Sequence, residues 1–359
     1  MTAATRIRVA LLGCGRIAHV HCGYLRQIPQ VELAGACDLS RDSREQLTAR
    51  WQVPTYADID ELLSAAQPDV VHVITPPATH ASLAIQLLAA GVHVLVEKPM
   101  ALSAAEADTM IAAARQAGKY LSVDHNRWFD PVVVQARSLL ASGRLGSLVG
   151  VEVFQGVASG EAELPADEHG RWKASLPGGI AYDVAPHASY LLAGLVGAID
   201  NVQVSARTDA RGQLRELRAI VDGECALGSL TLSLETRPLL SRLILYGSAM
   251  TAEVNLNNMT LILRQERQVP KIVGKVLPNL DEAAQLLRAT IVNGIEFLRG
   301  RQRYYPGMGG HFRALYEALA NGQPPPVTAE QGRQGVWLLE EIWDRAGLHV
   351  GPQLLQAVN

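Results

Sequence analysis

The chain has 359 residues, 48% of them hydrophobic and 19% charged, with a formal net charge of −3 and a pI near 6.4. That balance excludes global disorder and leaves no basic footprint for nucleic acid. The length allows two domains and a large core, and no apolar run approaches the roughly 20 residues needed to span a bilayer.

Met1 to Arg6 lead straight into an apolar run at 7–12, which leaves no room for a cleaved signal peptide. Cys14, Cys22, Cys37 and Cys225 have neither metal-ligand nor disulfide-framework spacing, so the expectation is reduced thiols, no metal and a cytoplasmic protein. Apolar runs at 7–12, 31–37, 70–74, 92–96 and 120–123, with a short sixth strand at Thr55-Tyr56, alternate with helix-length amphipathic segments. This predicts a Rossmann-type doubly wound parallel sheet over residues 1–123, with its ligand crevice at the carboxyl ends of the strands.

Beyond residue 124 the pattern changes. A helix over 131–141 ends at Ser142-Gly143, and strands are predicted at 148–157, 201–206, 217–222, 226–234, 240–246 and 259–263. Successive strands with short connections predict a mostly antiparallel sheet in an α+β domain over 124–310. Within it, a helical insertion near 265–303 carries Leu280, Ala284, Leu287, Ile291, Ile295 and Leu298 at spacings of three and four. That stripe predicts a helix over 280–298 that packs into a core or a subunit interface, or lines an enlarged substrate pocket. Asp281 and Glu282 argue against a membrane-surface role. The C-terminal region, 311–359, holds helices at 311–320 and 328–346, separated by the breaker Asn321-Gly322-Gln323-Pro324-Pro325-Pro326.

Chemistry is concentrated at strand ends. Gly13-Cys14-Gly15-Arg16-Ile17-Ala18 follows the first strand: Gly13 permits a tight turn, Gly15 lets the backbone approach a pyrophosphate, and the next helix start favours an anion. Asp38, at the end of the second strand, can accept hydrogen bonds from adenosine ribose hydroxyls. It favours NAD over NADP, or caps the turn at Asp38-Leu39-Ser40, or does both; Arg41 keeps NADP as the alternative. The loop Ile74-Thr75-Pro76-Pro77 must leave the sheet abruptly, and His80 reads as a helix-start residue. Glu97-Lys98-Pro99 closes the run at 92–96 and puts an amine beside the crevice. Asp183 and His187 are four apart, so on one helix they can meet, and the carboxylate can fix the imidazole tautomer. Pro186 is tolerated in a first helical turn, so this helix is predicted to begin near Tyr182 to Asp183.

These motifs, with Ala90-Gly91, Asn126-Arg127-Trp128, Gly178-Gly179 and Pro324-Pro325-Pro326-Val327, resemble the Gfo/Idh/MocA family of oxidoreductases over nearly the whole chain, apart from the insertion near 265–303. The resemblance implies an N-terminal Rossmann domain, a C-terminal domain with an open sheet, and NAD(P)-linked redox chemistry on a sugar, polyol or related carbonyl compound. It places the catalytic lysine on Lys98 and the downstream Asp and His on Asp183 and His187. It also implies a cis peptide before Pro99 and a homodimer or homotetramer built on the sheet's outer face. Ile180 stands where the family frequently has a third glycine.

The cofactor set is then Gly13, Gly15, Arg16, Ile17, Asp38, Thr75, Pro76, His80, Glu97 and Lys98. Oxidation of a secondary alcohol needs a base as hydride leaves carbon, and His187 is assigned that role with Lys98 polarising the oxygen; the reverse division is the alternative. Arg127, able to grip a hydroxyl or phosphate, and Trp172, able to stack on a sugar face or base, join Lys98 and His187 as substrate-side residues. The leading expectation is an NAD(P)-dependent oxidoreductase acting on a sugar, nucleotide-linked or not. Free-polyol or inositol oxidation and a non-catalytic dinucleotide-binding regulator are the alternatives.

Overall fold

The computed structural model describes residues 6–157, 176, 179–210, 213–300 and 305–348. By compactness the described residues divide into two units, one formed by residues up to His125 together with Met308–Trp337, the other by Asn126–Gly307 with residues 338–348. The C-terminal helices are thus shared between the units.

In the first unit, strands β1 (Ile7–Leu12), β2 (Val31–Cys37), β3 (Thr55–Tyr56), β4 (Val70–Val73), β5 (His93–Val96) and β6 (Leu121–Val123) form an all-parallel sheet in the order β3-β2-β1-β4-β5-β6. Helices α1 (Arg16–Leu25), α2 (Arg41–Trp51), α3 (Ile59–Ala66), α4 (His80–Ala89) and α5 (Ala104–Ala117) make the crossovers. Every residue of β4 and β6 is buried, as strands covered on both faces should be. The strand order reverses between β1 and β4, which makes their carboxyl ends the switch point.

Register then fixes the chemistry. Leu12 lies opposite Cys37 and Val73, Val73 opposite Val96, and Val96 opposite Val123. The residues that follow, Gly13, Asp38, Ile74, Glu97 and Asp124, therefore stand in one row along the carboxyl edge. Gly13 N–H to Cys37 O (2.8 Å), Ile74 N–H to Leu12 O (2.9 Å), Glu97 N–H to Val73 O (2.9 Å) and Asp124 N–H to Val96 O (2.8 Å) tie that row down.

The second unit begins with α6 (Pro131–Ala141), which ends as expected at Ser142 and Gly143. Its sheet has the order β13-β12-β11-β7-β10-β9-β8, from β7 (Leu148–Gly156), β8 (Ile199–Thr208), β9 (Leu214–Gly223), β10 (Leu227–Ser233), β11 (Ser241–Gly247), β12 (Thr251–Asn255) and β13 (Thr260–Arg264). All pairings are antiparallel except β7 with β10. The helix α7 (Ile180–Val196) lies against β7 and β10. A Cβ on Gly228 would come 2.7 Å from Leu192 Cδ1, so the bare backbone of β10 is what lets the helix approach.

Three expectations need correction. Strand β12 was not anticipated, because only Ala252 and Val254 point inward and the remainder of the segment is polar. Helix α7 starts at Ile180, not near Tyr182, and carries Pro186 inside; burial of Ala181, Tyr182, Ala185 and Pro186 holds the helix together across the proline. The insertion helix α8 (Val273–Leu298) starts seven residues earlier than expected, contains Pro278, and has no buried residue, so it does not pack into a core. Helices α9 (Pro306–Ala320) and α10 (Ala329–Arg345) complete the chain. No helix among the described residues is long and apolar enough to cross a membrane.

Candidate functional site

On the first unit the glycine turn has the form of a phosphate cradle. Gly13 has φ +111°, and a Cβ there would press to 3.0 Å from Ile74 O. A Cβ on Gly15 would meet nothing within 4 Å, so open space lies above the start of α1. That helix start has no side-chain cap and no acidic residue in its first turn. Free backbone N–H groups and the positive end of the helix dipole fit an anion there. Arg16 is exposed and Ile17 half-buried beside it. Asp38 accepts from Cys14 N–H at 2.6 Å and Ser40 N–H at 2.8 Å, so it both braces the cradle and closes its own turn. Its negative charge suits ribose hydroxyls and repels a 2′-phosphate. The residues present therefore fit NAD.

Across the switch point, Thr75 Oγ1 lies 2.7 Å from Thr79 Oγ1, and Pro76 is exposed. His80 is fully buried, with Nδ1 2.9 Å from Pro99 O and Nε2 2.8 Å from Thr75 O. Burial holds its pKa below the ordinary value despite the carbonyls, so the ring is neutral and donates to only one of them. It links the Thr75 loop to the Lys98-Pro99 peptide, which is cis as the resemblance implied.

Glu97 and Lys98 point to different surroundings: Glu97 is buried, Lys98 half-buried. Behind the lysine lies a dry polar chain. Tyr316 OH meets His72 Nε2 at 2.5 Å, His72 Nδ1 meets His21 Nδ1 at 2.9 Å, and His21 Nε2 meets Glu97 Oε1 at 3.2 Å. Glu97 Oε2 in turn accepts the Lys98 N–H at 3.1 Å. Asp124, its neighbour in the carboxyl-edge row, reaches His311 Nδ1 at 2.7 Å. Burial would raise Glu97, but the hydrogen bond and charge of His21, with Lys98, hold its pKa below the ordinary carboxylate value. Asp124 moves the other way: burial first, then the Glu97 charge, push it well above the usual range. One charge is shared between two carboxyls, ionised on Glu97 and neutralised by a proton on Asp124. Burial takes His311 down to about 3, so a neutral ring stands beside Asp124, while the hydrogen bond that helps keep the Asp124 proton runs to Glu97. None of His21, His72, Asp124, His311 or Tyr316 was anticipated from the sequence.

On the second unit, Asp183 and His187 lie half-buried on α7. The predicted spacing holds, and the contact at His187 Nδ1 is Tyr190 OH at 3.0 Å. Tyr190, three residues on along the same helix, was missed, although that spacing was the signal. Tyr190 OH also accepts the Arg127 N–H at 3.0 Å, which fixes the hydroxyl between motif and histidine. Arg127 Nη1 donates to Ser241 Oγ at 3.0 Å, and Ser241 donates to Gln155 Oε1 at 2.9 Å. The next residue, Trp128, stacks under Arg137 at 3.9 Å and lies against Gly194, where a Cβ would come within 2.9 Å. Asn126-Arg127-Trp128 therefore anchors to α7 through an indole and a glycine. Trp172 and Gly178 lie outside the described residues.

Residues 7–125 match the model of an oxidoreductase family with an NAD-binding Rossmann fold, and residues 133–253 match the GFO/IDH/MocA C-terminal domain. The chain belongs to the Gfo/Idh/MocA family. Its first unit is that family's NAD-binding domain, which agrees with the cradle described above. It is 36% identical to 1-carboxy-3-chloro-3,4-dihydroxycyclo hexa-1,5-diene dehydrogenase of Comamonas testosteroni, over 39% of this chain and 36% of that protein. To D-glucoside 3-dehydrogenase of Escherichia coli it is 33% identical, over 40% of this chain and 41% of that one. The chain thus spans less than half the length of these two relatives. In fold it is similar to the WlbA dehydrogenase of Bordetella pertussis, solved with NADH and UDP-GlcNAcA, with a TM-score of 0.75, 22% identity and 97% of both chains covered.

Proposed function

We propose that this Gfo/Idh/MocA chain is an NAD-dependent dehydrogenase that oxidises a secondary alcohol of a sugar, or reduces the matching ketone, with a nucleotide-linked sugar as the favoured substrate class. The observation that carries the reading is the row Gly13, Asp38, Ile74, Glu97, Asp124 along one sheet edge. It sets a dinucleotide cradle and a buttressed lysine on the same rigid scaffold. A dinucleotide sensor has no use for the lysine or for the buried chain behind it.

Gly13, Gly15 and the start of α1 hold the pyrophosphate, Asp38 the adenosine ribose, Thr75 and Pro76 border the adenosine and ribose side, and Lys98 stands beside the nicotinamide. The bound nicotinamide supplies the hydride-accepting carbon. Lys98, held from behind by the Glu97 carboxylate on its own N–H, donates a hydrogen bond to the reacting oxygen. His187 accepts the hydroxyl proton in oxidation and returns it in reduction. Tyr190 OH, 3.0 Å from Nδ1, steadies the imidazole ring. Arg127 and Trp172 grip the sugar or its nucleotide. The relatives that act on glucosides, and the fold relative solved with a nucleotide sugar, support the substrate class.

The test is a panel of nucleotide sugars, free hexoses and inositols, followed by absorbance of the reduced nicotinamide, with Lys98→Ala and His187→Ala beside the parent. Turnover on a nucleotide sugar, lost by at least a hundredfold in both variants with NADH affinity retained, is the expected result. Unaltered turnover in both variants refutes the assignment.

A further inference from the structure

Helix α8 is inside out. Its polar side is the one engaged with its own sheet: Gln285 both donates to Leu263 O and accepts from Leu263 N–H, each at 2.9 Å, along the edge strand β13. Asn293 donates to Asn258 O and Met259 O at 2.9 Å, and Glu282 takes Arg264 in a two-point ion pair at 2.7 and 2.9 Å. These contacts cover an edge that would otherwise be open to strand pairing. On the opposite side run Val273, Val276, Leu280, Ala284, Leu287, Ile291, Ile295 and Leu298, a single stripe by helical spacing. Their large side chains are between 42% and 85% exposed.

The order of that stripe is informative. Its successive spacings are three, four, four, three, four, four and three, which read the same from either end. A two-fold axis at the middle of the helix would therefore bring Val273 to Leu298, Val276 to Ile295, Leu280 to Ile291, and the small Ala284 to the large Leu287. Asp281 is taken up within its own chain, by Arg267 at 3.1 Å and Gln285 at 3.0 Å, so the pairing rests on the apolar stripe. At about 150–200 Å² for a large apolar side chain, the stripe exposes on the order of 700 Å² per copy, close to the roughly 800 Å² each partner contributes to a standard interface. The polar side lacks the run of basic residues that a membrane-surface helix carries.

We infer that α8 is an isologous docking surface for a second copy of this chain, pairing antiparallel about a two-fold axis near Gln285 and Leu286. Its test is the mass in solution by sedimentation and light scattering over a concentration series, on the full chain, for Leu287→Glu and Ile291→Glu. Both apolar variants sit at exposed positions and are expected to halve the assembly's mass, with far-UV circular dichroism and NADH affinity unchanged. Unchanged mass in both apolar variants overturns the inference. So does a parent that stays monomeric at all concentrations, or one that floats with anionic vesicles while remaining monomeric in their absence.

Discussion

Two glycines two residues apart should respond to the same methyl group in opposite ways. Gly13 sits at φ +111° with a virtual Cβ 3.0 Å from a backbone oxygen. A backbone forced to hold a non-glycine residue there costs of order 1–3 kcal/mol. At about 2–4 °C per kcal/mol for a domain of this size, Gly13→Ala should melt roughly 2–12 °C lower without cofactor. Gly15 has φ −70° and empty space at its Cβ position, so Gly15→Ala should fold as well as the parent or gain about 0.4–1 kcal/mol from the stiffer unfolded chain. Its methyl instead occupies the approach to the start of α1, and NADH should bind at least about tenfold more weakly, about 1.4 kcal/mol. Thermal melts without cofactor and calorimetric titration with NADH separate the two. A Gly15→Ala variant that binds NADH like the parent would remove the cradle from the cofactor site.

Asp130 supplies a pH signature for the second unit. Burial, against the opposing effects of Arg127 and the Gly307 N–H, raises its pKa from 3.8 to about 7. An acid raised on folding contributes stability in full below its unfolded pKa and loses it as pH climbs through the folded one. The loss should fall between about pH 4 and 7 and approach roughly 4 kcal/mol, an order-of-magnitude figure from about three pKa units. Asp130→Asn keeps an oxygen for the Gly307 N–H, 3.0 Å away, and removes the titration. It should melt near the parent at pH 4 and above it at pH 8; identical melting at both pH values would refute the assignment. The carboxyl pair in the first unit predicts an asymmetry. Asp124→Asn replaces a protonated acid by a neutral donor of the same shape and should change stability by under about 1.5 kcal/mol, whereas Glu97→Gln removes the ionised group and should cost about 2–5 kcal/mol. Equal losses by denaturant titration at pH 7 would show that the charge is not on Glu97.

Motifs built from neighbours in sequence were legible, and contacts built by folding were not. The glycine turn, Asp38 and Glu97-Lys98-Pro99 are each short strings with a local physical meaning, and the sheet's period marked their strands. Tyr190 was within reach, since it lies one helical turn from His187 and a tyrosine hydroxyl is a natural partner for a half-buried imidazole. The reading named Asp183 as the neighbour of His187 and did not weigh the tyrosine. Helix α8 shows the limit of periodicity: the stripe was seen and the helix found, but an apolar face in sequence does not say whether it turns inward. What turned it outward is the polar set Glu282, Gln285 and Asn293, whose fit to the β13 edge appears only once that strand is in place.

The buried chain behind Lys98 shows how far apart in sequence a functional support can originate. His21 comes from α1, His72 from β4, Glu97 and Asp124 from the ends of β5 and β6, and His311 and Tyr316 from α9. No local pattern could join them. Parallel register puts Glu97 and Asp124 on adjacent strands at the same height, and strands about 4.8 Å apart cannot hold two ionised carboxyls in a dry layer. One must keep its proton, and the partners decide which: Glu97 has the His21 ring and the Lys98 N–H, while Asp124 has the Glu97 carboxylate beside it, which favours its protonated form. The ionised member is therefore the one joined to the backbone of Lys98, so the same arrangement that resolves the electrostatic conflict also holds the lysine's peptide in place.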